Sequence, residues 1–597
     1  MCGIAGIVTR DNKIDIKEIC EEMLSVIEHR GPDDCGIQNY ANVSLGHRRL
    51  SILDLSSAGK QPMDWMQKYT ITFNGEIYNY IELREELLDS GYTFYTQTDT
   101  EVILASYDHW GYECLNRFNG MWSFAIYDRV DETIFCARDR FGVKPFYYYQ
   151  NKDTFVFASE IKQIIKVFPE EAIANTDRIW KFLCNGITEY GRDTFYKNIM
   201  QLSPGTYGVF DIRKEHWELF RYYTIAHKNK TYSYKQAVKR FKELFLDSIK
   251  LRMRADVSVG SCLSGGLDSS SIVCGVHELY PNKKMKTVSS CYDNDEEKQY
   301  DEREYIDEVI NATEYDSYRI FLRFQDAFNR MDKIIWHMDE PFTTTSIFAQ
   351  YFVFEEAKKR GLKVMLDGQG ADEQLGGYTS FYMPMIQDMY KNKRFISLWY
   401  TYFRYHFKRK KTEIANTSGN YPEYPFELEK GNAHHLYNSN NYDRFTLDMI
   451  NINLVALLHY EDRNSMAHSI ESRVPFLDYR LVDLMYDMPS HFKMHLGFTK
   501  AILRDAMRGI LPSKIRLRIS KLGFATPETV WFKNNHDFIL HELEEACKTL
   551  NPLLERERVL EWFETCYERE LNDFFSFRII CLAHWVRVFN IVLPQED

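Results

Sequence analysis

Short apolar runs punctuated by glycine alternate with stretches of helical spacing along most of this chain. Residues 3–9, GIAGIVT, are apolar on both parities, which predicts a strand buried on both faces beginning almost at the first residue. Residues 17–27 and 80–89 carry helical spacing, and 120–127, 133–137 and 155–159 read as strands separated by turn residues. Residues 201–225 read as the last strands of this half, and the polar stretch 226–232 as a linker. Ser233 and Gln236 then form a capping-box pattern ahead of Ala237, Val238, Phe241, Leu244, Phe245 and Ile249, which share one helical face. Beyond it, apolar strands at 257–263, 285–291 and 363–366 alternate with helices, the pattern of a doubly wound, mainly parallel sheet. Residues 378–407 look helical and aromatic, and 408–441 look like a polar surface insertion.

At 597 residues the chain exceeds what one core usually supports, so two domains are expected, 1–225 and 233–597 joined by 226–232. Its 74 basic and 86 acidic residues leave a net charge of -12, which disfavours a general binder of nucleic acid or anionic membranes. Phosphates must then be met locally. Twelve cysteines without a CxxC pair indicate neither a disulfide framework nor a structural zinc site. The first residues lack a secretory pattern and no apolar run approaches 18 residues, so a soluble cytoplasmic protein is expected.

Two stretches carry chemistry. LSGGLDSS, beginning at Leu263, sits at a strand-to-helix turn. Gly265 and Gly266 allow close backbone approach, the helix start offers unpaired N–H groups, and Ser264, Ser269 and Ser270 add hydroxyls. No lysine follows the second glycine, which excludes the GxxxxGK[ST] loop; Asp268 instead supplies a carboxylate, as suits Mg²⁺ on a polyphosphate. The competing reading is a serine-rich helix cap. Cys2 is the second stretch. Removal of Met1 would leave it with a thiol and an α-amine whose reference pKa of about 8 suits a general base. The competing reading is a small buried hydrophobe.

SGGLDSS and MCGIAGIV together resemble the glutamine-dependent asparagine synthetases, class II amidotransferases with an N-terminal cysteine nucleophile, over nearly the whole chain. The resemblance implies an N-terminal-nucleophile αββα sandwich followed by an ATP-pyrophosphatase-type α/β domain. HRGPD at 29–33, HRRLSI at 47–52, NGEIYN at 74–79, TDTEV at 98–102 and RDRFGVKP at 138–145 match its glutaminase motifs. By that match Cys2 is the nucleophile, Asn74 and Gly75 form the oxyanion hole, Arg49 grips the glutamine carboxylate, and Glu76 and Asp99 hold its ammonium, with Asn74 alongside. In the second half, Leu263 and Ser290 would line the adenine and ribose, and Ser264, Gly265, Gly266, Ser269, Asp367 and Gly368 the phosphates. Asp268 and Asp372 would share Mg²⁺. Lys500, Arg518 and Lys521 match basic residues near the adenylate, SIESRVPFLD at 469–478 resembles a helix-end motif, and Asp301-Glu302 reads as solvated surface. DGQGADE departs from the pattern, because Gln369 replaces a glutamate; Asp367, two residues earlier, is the candidate substitute base. Cys291 replaces a glycine beside Ser290.

The expected reaction is ATP- and glutamine-dependent amidation of a carboxylate, aspartate by default, or a cell-envelope sugar or peptide. Expected partners are these small molecules, with neither nucleic acid nor membrane, and the resemblance is compatible with a homodimer. A silent scaffold homologue would have lost Cys2, Asp268 or Asp372, and all three are present.

Overall fold

The computed structural model describes residues 2–11, 14–228, 230–412, 422–427, 430, 439, 441–495, 497–519, 525–571 and 573–593. Lys521 and most of 408–441 lie outside them.

Two six-stranded antiparallel sheets form the first half. Gly3–Thr9 lies inside one sheet, between Val43–Arg49 and Thr154–Ala158. Ile4 and Val8 enter the core between the sheets, against Ala125, Ile134 and Phe210 of the other. Ala5 and Ile7 face outward onto Cys20, Met23 and Leu24 of the helix Ile16–Ser25. Both faces are covered, which is why the strand shows no polar alternation. On the far side, Val102 and Ile103 of the helix Asp99–Trp110 cover Ile71 and Phe73. The layers run helix, sheet, sheet, helix.

The second half is built on a five-stranded parallel sheet in the order Asp316–Phe321, Lys286–Cys291, Val259–Cys262, Val364–Leu366, Glu471–Arg473. The helix Tyr234–Arg252 begins with the expected capping box, Ser233 and Gln236 bonding reciprocally. Its Phe241, Phe245 and Ile249 join Ile272 and Val276 of Leu267–Leu279 on one face of the sheet, over Val259 and Val364. Val353, Phe354 and Ala357 of Ser346–Lys359 cover the other face, over Val288 and Met365. No described helix is long and apolar enough to cross a membrane.

SIESRVPFLD corrects one expectation. It is not a helix end but the edge strand Glu471–Arg473, pairing Glu471 with Val364 and Arg473 with Leu366, followed by a 3-10 turn at Pro475–Leu477. Three residues with charges at both ends give no readable alternation, because their polar side chains are buried against partners distant in sequence, among them Glu76 and the Arg252 carbonyl.

The halves share a core: Phe182, Phe195 and Tyr196 pack with Phe342, Phe577 and Trp585 in one cluster. An ion-pair clasp lies beside it. His459 Nδ1 meets Glu189 Oε1 at 2.7 Å and Glu340 Oε2 at 3.7 Å, while Nε2 meets the Met338 carbonyl at 2.9 Å. Burial works against a charged imidazole, but the hydrogen bond and charge of Glu189 raise His459 above its usual value. Burial and the neighbouring Glu189 push Glu340 up to about 7. Burial also opposes Glu189, yet His459 holds it below the usual range. Raised values contribute stability at low pH that disappears as pH rises through them; the depressed Glu189 contributes above its unfolded value. The clasp is therefore strongest between about pH 4.5 and 7. His459→Ala should cost about 3 kcal/mol at pH 6 and clearly less at pH 8, read from denaturant unfolding of parent and variant. Equal costs at both pH values would show that His459 is not the cation of the clasp.

Candidate active sites

Cys2 sits at the mouth of its strand, nearly buried, lining a small cavity of about 30 Å³ with Arg49, Gly75, Glu76, Asp99 and Glu471. Its backbone N donates to Asn74 Oδ1 at 3.1 Å. Asn74 Nδ2 is buried and meets no hydrogen-bond partner among the described residues. A buried donor left open in this way beside a thiol suits developing negative charge. Asn74-Gly75 is no hairpin turn; it lies within the strand Tyr69–Ile77, opposite Ser123 and Trp122. A Cβ on Gly75 would come within 2.2 Å of the Met121 carbonyl oxygen, so close strand packing requires glycine there. Burial pushes the Cys2 thiol above its usual value, so a base is needed to make the thiolate. Arg49 is fixed by the Ser56 and Asp54 carbonyls at 2.8 and 2.5 Å.

Three carboxylates crowd this cavity. Asp99 Oδ2 accepts from Ile77 N at 2.8 Å, and burial, with Glu471 nearby, pushes it up to about 7. Burial, then Glu471 and Asp99, raise Glu76 well above the carboxylate range. Burial opposes ionisation of Glu471 as well, but Arg473 Nε, 2.5 Å away, holds it ionised. Arg473 also approaches Glu76 at 3.5 Å. This surplus of acid in a closed pocket suits a ligand bearing an ammonium group. Glu471 and Arg473 come from the second half's edge strand, and sequence reasoning missed them as site residues.

At the carboxyl ends of the parallel strands lies a cavity of about 480 Å³. Parallel α/β sheets bind ligands at this end. Gly265 adopts φ +74°, and a Cβ there would press on Tyr305 and the Ile306 backbone N. Ser264 and Ser269 hydroxyls lie 3.1 Å apart, and Ser264 Oγ accepts from Gly266 N at 3.3 Å, shaping the loop ahead of the helix Leu267–Leu279. Asp268 in its first turn and Asp372 from the second loop converge on one cation, Lys500 Nζ, at 2.5 and 2.7 Å. Two carboxylates already gathered around a positive charge are a hard-oxygen donor pair that fits Mg²⁺. Lys500 is buried; burial works against its charge, but the two aspartates keep its pKa raised.

Other expected residues divide. Ser264, Gly266, Asp268, Ser269, Asp367, Gly368, Gln369, Asp372, Lys500 and Arg518 line this cavity. Leu263, Gly265 and Ser290 do not. Leu263 is fully buried, its N donating to Val288 O at 3.0 Å and its O accepting from Ser289 Oγ at 2.5 Å, so the parallel ladder holds it in the sheet. The solvated reading of Glu302 is overturned: it is buried and paired with Arg518, whose NH1 also donates to Gly265 O at 3.2 Å. Arg518 thereby braces the glycine loop.

Asp367 Oδ1 accepts from Gly368 N at 2.5 Å, and burial raises Asp367 to about 6. Behind Gln369 lies a carboxylate that the motif search missed, Glu461 of the helix Leu454–Met466. Burial and the charge of Asp367 push it well above the carboxylate range, opposed by the Ser472 hydroxyl, the Lys144 ammonium and the Gln369 amide. Ser472 Oγ donates to Glu461. Ser472 and its neighbours Glu471 and Arg473 project to opposite faces of one strand. That strand is therefore the wall between the two sites. Its neighbourhood is charged throughout: Arg30 donates from Nε to the Cys2 carbonyl at 3.0 Å and from NH1 to Asp462 at 2.9 Å, next to Glu461 in sequence.

Comparison with known proteins agrees with this division. Residues 1–223 match the glutamine amidotransferase domain model, and residues 240–586 the asparagine synthase model. "Asparagine synthetase [glutamine-hydrolyzing] 1" of Bacillus subtilis (strain 168) is 31% identical, covering 100% of this chain and 98% of that protein. "Asparagine synthetase [glutamine-hydrolyzing] 3" of the same organism is 29% identical over 95% and 94%. "Putative asparagine synthetase [glutamine-hydrolyzing] 2" of Methanocaldococcus jannaschii is 39% identical over 64% of this chain and 76% of its own.

Proposed function

The chain belongs to the asparagine synthase family, with a glutamine amidotransferase domain at its N-terminal end, and from that premise we propose that it moves the amide nitrogen of glutamine onto an ATP-activated carboxylate. The observation that carries this reading is the shared wall: Glu471–Arg473 borders the Cys2 cavity on one face and reaches Glu461 behind Gln369 on the other. The two halves take the boundaries 1–225 and 233–597, with 226–232 as linker.

In the first half the Cys2 sulfur attacks the glutamine amide carbon, its proton passing to the α-amine freed by loss of Met1. Asn74 Nδ2 and Gly75 N–H receive the oxyanion, Arg49 takes the carboxylate by a planar fork, and Glu76 and Asp99 take the ammonium. The α-ammonium returns that proton to the amide nitrogen as the C–N bond breaks, ammonia leaves, and water releases glutamate from the thioester. In the second half the carboxylate attacks the α-phosphate of ATP, giving an acyl-adenylate and pyrophosphate. Ser264, Gly266, Ser269 and Gly368 line the polyphosphate, with Lys500 and Arg518 beside it. Asp268 and Asp372 would hold Mg²⁺, which when bound would supply charge stabilisation to the polyphosphate. Ammonia then attacks the acyl carbon, AMP leaves, and one proton must be taken up. A passage closed to bulk water would keep ammonia unprotonated on the way.

Aspartate is the default acceptor. Another carboxylate is favoured by the cavity's lining, where the charged side chains Asp268, Asp367, Asp372, Lys500, Arg504 and Arg518 stand with the neutral Ser346, Ile347, Gln350, Tyr382, Leu457 and Tyr460. All but Arg504 have a place in the phosphate, metal or base assignments above, leaving few charges for an amino acid's own two. A uronate sugar or a peptide suits such a wall. Candidates supplied one at a time, with ATP-dependent pyrophosphate release as readout, decide between them; release with none beyond background would sink the reading.

Gln369 cannot take the proton from the attacking ammonia, so Asp367 or Glu461 must stand in. With ammonium as nitrogen source, Glu461→Gln and Asp367→Asn should each be scored as amide formed per pyrophosphate released. A fall of roughly tenfold in that ratio at near-normal pyrophosphate release marks the base, and adding Gln369→Glu should partly restore it. An unchanged ratio in both variants would leave the step without a carboxylate base.

A further inference from the structure

Beside the ATP-side cavity a helical hairpin turns its apolar side to solvent. Tyr378, Thr379 and Tyr382 line the cavity, and the chain runs from them into the helices Tyr382–Lys391 and Phe395–Thr412. Tyr382, Met385 and Met389 pack inward, and Leu398 of the second helix joins them. The opposite side carries Met383, Tyr390, Phe395, Ile396, Trp399 and Tyr400, exposed by 45% to 76%. Thr401 meanwhile is fully buried, its hydroxyl meeting no partner among the described residues. An ordinary surface helix buries its apolar stripe and shows its hydroxyls to water. Here a second apolar face, besides the one that packs inward, is left in water.

The local charge is opposite to that of the whole chain. The chain carries a net -12, yet residues 383–411 hold eight lysines and arginines and a single acid, Asp388. Lys391, Lys393 and Arg394 of this set are exposed at the bend between the helices.

We propose that the outer face of this hairpin docks on the surface of an anionic lipid bilayer. Tryptophan and tyrosine rings settle at the headgroup level, the aliphatic and phenyl groups dip below it, and lysine and arginine pair with anionic headgroups while their stems lie along the apolar boundary. Self-association through the same face would bring two basic clusters together and is opposed by their charge. Resting on the amidation reading above, docking sets the cavity beside the membrane, where a lipid-linked carboxylate can enter it.

The test is sedimentation of the full chain with vesicles of phosphatidylcholine alone and with about a third phosphatidylglycerol, at low and high salt. Binding to the anionic vesicles should exceed binding to the neutral ones by roughly tenfold or more and weaken with salt. The double variant Ile396→Ser, Trp399→Ser should lose at least roughly tenfold of it. Lys391→Gln with Lys393→Gln and Arg394→Gln should lose the salt-sensitive part. Unchanged glutamine hydrolysis would show both variants folded. No binding to anionic vesicles, binding indifferent to Ile396→Ser, Trp399→Ser, or a vesicle-free dimer that this variant abolishes would overturn the proposal. Failure of the amidation reading would appear elsewhere, in pyrophosphate release, and leaves the vesicle result standing.

Discussion

Replacing Cys2 by alanine should abolish glutamine-dependent product formation, by roughly 10³-fold or more, while product formed from added ammonium stays close to the parent's. The first half of this result rests on the cavity around Cys2. Its thiol is nearly buried beside Asn74, whose Nδ2 is open, and no other cysteine lines that space. Removing the sulfur removes the only atom there able to form a thioester. The second half rests on separation. The residues lining the ATP-side cavity belong to other elements, and Arg30, which joins Cys2 to Asp462, reads the backbone carbonyl of residue 2 rather than its side chain. Alanine keeps that carbonyl. Product yield with each nitrogen source, in protein shown to be folded, checks both halves. Equal loss with glutamine and with ammonium would mean that the two sites are not chemically separable.

Legibility followed chain-local physics. The buried strand at Gly3–Thr9, the capping box at Ser233 and the strand-to-helix turn at LSGGLDSS are written in short windows, and the fold repeats them. What failed was long-range. Glu471 and Arg473 look like surface charges in sequence, yet both are fully buried, and Arg473 meets partners more than 200 residues away, Glu76 of the first half and the Arg252 carbonyl of the second. Glu302 was misread for the same reason, its partner Arg518 lying beyond the reach of any local pattern. Glu461 had a signal of a weaker kind: HYEDRN sets the charged Glu461, Asp462 and Arg463 side by side after the apolar run LVALL. Charges in such a setting are seldom left unpaired. Leu263 directly follows the strand Val259–Cys262 and Ser290 lies within Lys286–Cys291, both outside the lining of the cavity.

Asp268→Asn and Asp372→Asn should each lower ATP-dependent pyrophosphate release by roughly 10²- to 10³-fold and leave glutamine hydrolysis intact. Each aspartate contributes a full negative charge at the point where both now meet Lys500 Nζ. Asparagine keeps the shape and one oxygen but loses the charge, so a divalent cation and a polyphosphate can no longer be balanced there. A second route to loss runs through Lys500, which is buried and owes its raised pKa to the same two aspartates. Removing one partner of a buried cation costs about 3 to 5 kcal/mol and would unsettle the whole cluster. Mg²⁺ dependence separates the two routes. If the aspartates hold the metal, the Mg²⁺ concentration giving half-maximal release should rise in both variants, and excess Mg²⁺ should recover part of the rate. If they serve only to seat Lys500, the requirement should stay at the parent's value while heat stability falls. Near-normal pyrophosphate release in either variant would remove that aspartate from the site altogether.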